Sequence, residues 1–116
     1  MHCWCAARLL DFYLESLSAA RKARGASDEV VARYTRETAL RHYRLAVLDY
    51  GRFVAARFWT AASPEAFAAK ASNPNTTLVN RSTDAALRFV ERIDACLSTF
   101  EAEAAAAEAA DGAPPS

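Results

Sequence analysis

A chain of 116 residues, 53 % hydrophobic and 24 % charged, has the size and composition of one globular domain and is too short to wrap a large cofactor. Only three glycines argue against a turn-rich β protein. Fourteen Lys/Arg against fourteen Asp/Glu leave no net charge, which removes the overall basic character that phosphate-backbone binding normally shows. The charge is unevenly spread. Residues 21–57 carry nine Lys/Arg against four Asp/Glu, and residues 84–111 carry two against seven. Two helices of complementary charge packed side by side account for this, and nucleic acid is not an expected partner. Twelve arginines to two lysines fit a GC-rich coding sequence and carry no functional weight.

The first segment, Met1-His2-Cys3-Trp4-Cys5, has no basic stretch, long apolar run or small-residue cleavage site, so it does not read as a secretion signal. No apolar run approaches the ~18 residues a membrane span needs. Cytosol or nucleus is the expected location, and the three cysteines are expected as reduced thiols. Under those conditions the Asn75-Thr76-Thr77 and Asn80-Arg81-Ser82 sequons stay unmodified. Zinc wants four ligands with paired cysteines spaced by two or more residues, and His2, Cys3, Cys5, His42 and Cys96 do not provide that pattern. No metal or other cofactor is expected.

A helix is expected from about Cys5 to Arg24, with Leu10, Tyr13, Leu14 and Leu17 on one face and Gly25 just past its end. Ser27 or Asp28 then caps a second segment, with Asp28 and Glu29 favourable in its first turn. Tyr34, Leu40, Tyr43, Val47, Tyr50, Val54 and Phe58 recur mostly at threes and fours, as one long helix or as two broken near Gly51. Ser63-Pro64-Glu65 starts a short helix that ends before Ser72. A last helix begins around Ser82-Thr83-Asp84, with Ala86, Val90, Ile93, Leu97 and Phe100 as its stripe. Its alanine-rich end, residues 101–110, is expected to fray, and residues 111–116 to form a disordered tail. The domain is thus residues 1–110: all-α, a compact bundle of about four to six helices.

Catalysis finds little support. His42 is the one candidate general base inside the fold, and its neighbours Arg41 and Tyr43 place it on a solvated helix face. No nucleophile elbow, phosphate-binding loop or dinucleotide fingerprint occurs, so a non-enzyme is expected. Asp49-Tyr50-Gly51-Arg52-Phe53-Val54-Ala55 is the most informative stretch. A glycine inside a helix costs roughly 1 kcal/mol against alanine, so it marks a helix end, a kink or a close approach to the backbone. Arg52 beside it offers a rigid five-donor fork for a carboxylate.

That stretch resembles the BH1 signature of Bcl-2 proteins, asparagine-tryptophan-glycine-arginine and an apolar run, with Asp49-Tyr50 in place of Asn-Trp. Arg8–Leu17 resembles the BH4 segment in its Asp11-Phe12 core and flanking leucines. Ser27–Tyr34 resembles the latter half of a BH3 segment, with Ala23 where that motif has leucine. Val90–Ile93 with Leu97–Phe100 resembles the helix after the central one, without a BH2-like tryptophan. The motifs stand in the family's order over about a third of the chain. The resemblance implies a short, anchorless, virus-encoded member, of the kind found in poxviruses, with a Bcl-2-like fold. Such a protein would modulate host apoptosis or NF-κB signalling by binding BH3-type helices or signalling proteins, and some dimerise. Tyr50, Gly51, Arg52, Phe53 and Val54 would line the groove. Gly51 would admit the partner helix, and Arg52 would pair with its aspartate. The alternative is a generic helical interaction or dimerisation module. The two differ in whether Gly51-Arg52 lies open at a groove or buried at a helix crossing.

Overall fold

The computed structural model describes residues 3–112, with side chains described from residue 7 onward. Among these residues the chain is all-α: five α-helices, one short 3-10 turn and no strand. The His2-Cys3-Trp4-Cys5 side chains and residues 113–116 of the expected tail lie outside the described residues. Helix α1 spans Cys3–Ala23, α2 Asp28–Ala32, α3 Arg36–Phe58, α4 Pro64–Lys70 and α5 Thr83–Asp111, with the 3-10 turn at Leu78–Asn80. The chain divides between Tyr43 and Arg44 into two compact units. No described helix is long and apolar enough to cross a membrane.

In the first unit α1 ends as its sequence dictates. Gly25 adopts φ 93°, the left-handed conformation only glycine enters without strain. Ala26 N donates to Arg21 O and Gly25 N to Lys22 O, both at 3.0 Å, which satisfies two orphan carbonyls in a Schellman motif. Ser27 then caps α2, its hydroxyl accepting from Val30 N at 3.2 Å. Asp11 on α1 pairs with Arg36 at the start of α3 at 2.8 Å. Leu10, Leu14 and Leu17 are half-buried as expected, and Val31 and Ala39 are buried. Tyr13, expected on the same stripe, is exposed instead. Thr35 caps α3 by accepting from Thr38 N at 3.2 Å, so Tyr34 precedes the helix rather than opening it.

In the second unit α3 continues through Gly51 without a break, which removes the helix-end reading. Ser63 caps α4 through Ala66 N, with Pro64 at the first helical position, and Ser82 caps α5 through Ala85 N. The buried stripe of α5 keeps Ala86, Ile93 and Phe100 of the expected residues and takes Phe89 and Cys96 in place of Val90 and Leu97. Ala86 and Cys96 are buried and Phe89, Ile93 and Phe100 half-buried, whereas Val90 and Leu97 are exposed. The residues expected to fray continue as helix through Asp111, and Gly112 N closes the end on Glu108 O at 3.0 Å. Alanine and glutamate, strong helix formers, are sufficient reason. Trp59 Nε1 donates to Asn80 Oδ1 at 2.8 Å, and Asn80 Nδ2 donates to Thr77 Oγ1 at 3.1 Å. Asn80 is only 3 % exposed, so these bonds satisfy a polar side chain that burial would otherwise penalise.

Candidate functional site

Helical periodicity divides the expected groove residues between two sides of α3. Val47, Gly51 and Val54 recur at four and three and are all buried, Val54 completely. A Cβ built on Gly51 would stand 2.6 Å from Ile93 Cδ1 and 2.9 Å from Ile93 Cγ1. The close approach that the glycine implied is therefore made by α5 of the same chain. Gly51 and Val54 do not line an open groove, because Ile93 fills the space over the first and the second has no exposed surface.

Tyr50, Arg52 and Phe53 are exposed. The Arg52 side chain is 83 % exposed and pairs with Asp49, one turn back on the same helix, at 3.0 Å. Arg52, Phe53, Ala56 and Arg57 line a shallow open depression, so Phe53 stands between two guanidinium-bearing residues. A string of rings fixes its position. Phe53 stacks on Tyr50 with centroids 6.5 Å apart, Tyr50 meets Phe89 at 5.7 Å, and Phe89 meets Trp59 edge-on at 6.2 Å. Phe58 also meets Phe53 edge-on at 5.7 Å. The string reaches Asn80 through the Trp59 hydrogen bond. An exposed aromatic held this way loses little rotamer freedom on binding, the property that makes aromatic anchors effective.

Two further depressions escaped the sequence reading. One is wholly apolar, lined by Trp59, Ala62, Phe67, Thr83, Ala86, Leu87 and Val90. The other is a recess at the 3-10 turn, lined by Phe58, Lys70, Asn73, Asn75, Thr76, Thr77 and Asn80. Neither has a periodic signature, because its residues come from several elements. The exposed Val90, expected on the buried stripe, lines the first of them.

His42 is exposed and shares a 3.1 Å hydrogen bond between its Nδ1 and the Tyr34 hydroxyl. Cys96 is a buried free thiol. Among the described residues no cluster of three or more His, Cys, Asp or Glu gathers as a metal-binding group. Comparison with protein-family models, with curated proteins and with solved structures gave no match to this chain.

Proposed function

We propose that this chain is a non-enzymatic helical interaction domain that binds protein partners through the outer face of α3. The observation that carries the reading is Phe53. It is a large aromatic left 54 % exposed, pinned by its neighbours' rings and flanked by Arg52 and Arg57 over a shallow depression. The partner surface this chemistry fits is a helix or loop with one apolar side chain for the depression and carboxylates for the arginines.

The narrower reading, a viral Bcl-2-like modulator of host apoptosis or NF-κB signalling, rests on the motif resemblance and the all-α fold. It draws less support at the site, because it needs Gly51 open to a partner helix and Ile93 occupies that space. It predicts sub-micromolar binding of a pro-apoptotic BH3 peptide, lost in Arg52→Ala.

The test is quantitative capture from cell lysate with the parent chain, Phe53→Ala and Arg52→Ala. The expected result is at least one partner whose affinity falls about 30-fold with Phe53→Ala, the weight of a central anchor near 2 kcal/mol. Arg52→Ala should slow its association and flatten its salt dependence. Partners insensitive to both substitutions would contradict the reading.

A further inference from the structure

Helix α1 carries apolar residues on two faces, and one of them faces outward. Leu10, Leu14 and Leu17 are half-buried, while Leu9 and Phe12 are 68 % exposed and Tyr13 54 %. An amphipathic helix normally turns its charges to solvent. Here Arg8, Asp11, Glu15, Arg21 and Lys22 all fall outside the arc that Leu9, Phe12, Tyr13, Ser16, Ala19, Ala20 and Ala23 share at helical spacing. Over four turns that outer arc contains no charge.

We propose that this arc is the interface of an antiparallel homodimer, α1 of one copy against α1 of a second. The arc is self-complementary: its first half is bulky, its second half small. A twofold axis at Ser16 sets Leu9 on the partner's Ala23, Phe12 on the partner's Ala20 and Tyr13 on the partner's Ala19. Every large side chain then meets an alanine, the large-against-small arrangement that lets packed helices interdigitate. Leu9, Phe12 and Tyr13 leave roughly 400 Å² exposed between them, about half of what each partner of a standard interface buries. The four small residues and the helix flanks supply further area. This interface lies in the first unit, on residues distinct from the α3 face, so either proposal can fail without the other.

Sedimentation equilibrium of the full chain tests it, with Phe12→Glu in parallel. The expected result is a particle of twice the 12.6 kDa chain mass for the parent. Phe12→Glu should return it to one chain mass with unchanged helix content. A second variant guards against loss of fold: Ser16→Cys, in a background with Cys3 and Cys5 changed to serine, should form a covalent dimer on mild oxidation. At a twofold axis between closely packed helices the two sulfurs come within bonding range. A parent that stays monomeric at 100 µM overturns the proposal. So does a dimer that Phe12→Glu leaves intact, or one that Ser16→Cys fails to cross-link.

Discussion

Gly51 is a small residue with two opposed energetic consequences. Alanine there would recover about 1 kcal/mol of helix propensity. Its Cβ would also press on Ile93 Cδ1 and Cγ1, and overpacking of that kind costs about 1–3 kcal/mol. Gly51→Ala should therefore destabilise the chain by about 1 kcal/mol in urea unfolding. Ile93→Val removes Cδ1, the nearer contact, at a cost of about 1 kcal/mol by itself. The double variant should lose less than the sum of the two single losses, because the deletion relieves part of the insertion. Simple additivity of the two losses would show that Gly51 and Ile93 do not meet. Asn80→Ala presents the converse case: it orphans the Trp59 indole N–H and leaves a cavity in a buried position, so a loss of about 2 kcal/mol is expected. A loss below about 0.5 kcal/mol would mean that the hydrogen bond contributes little.

At the scale of elements, the sequence announces its starts and stops better than its faces. Ser27, Ser63-Pro64 and Ser82 each supply a cap oxygen within 3.2 Å of an orphan amide, and Gly25 has the positive φ its position requires. Ser82→Ala should cost about 1 kcal/mol, read in thermal unfolding, because it frees the first turn of the longest helix. The faces were harder to read, for a physical reason. On α5 the apolar residues Phe89-Val90 and Cys96-Leu97 are sequence neighbours, so two stripes 100° apart both satisfy a 3.6-residue period. Packing selects Phe89 and Cys96, and no local signal could have told them from Val90 and Leu97. The same ambiguity misplaced Tyr13 on α1. The groove residues were legible as a special stretch, since glycine in a helix demands an explanation. Which neighbour supplied the explanation was not, because Ile93 lies 42 positions along the chain. The 3-10 turn at Leu78–Asn80 has no periodicity to betray it, though its Asn80-Thr77 bond follows a common short-range pattern.

At the scale of the whole molecule, zero net charge and opposite excesses in residues 21–57 and 84–111 leave no bulk charge to draw a partner, so the proposed binding rests on specific surfaces. Two such surfaces stand out, the uncharged arc of α1 in the first unit and the Phe53 face of α3 in the second. Phe12→Glu should leave Phe53-dependent binding unchanged, and Phe53→Ala should leave the sedimentation mass unchanged. Raising salt should weaken the α3 contact, where Arg52 and Arg57 act, and leave the apolar α1 contact little affected. The claim on which the functional reading turns is that partners touch Phe53. A photo-reactive benzoylphenylalanine placed at that position measures this directly, with the same probe on exposed Glu65 as reference. The account predicts a discrete cross-linked partner at position 53, competed away by unlabelled parent chain but not by unlabelled Phe53→Ala, and absent at position 65. Equal cross-linking at both positions, or none at position 53, would contradict it.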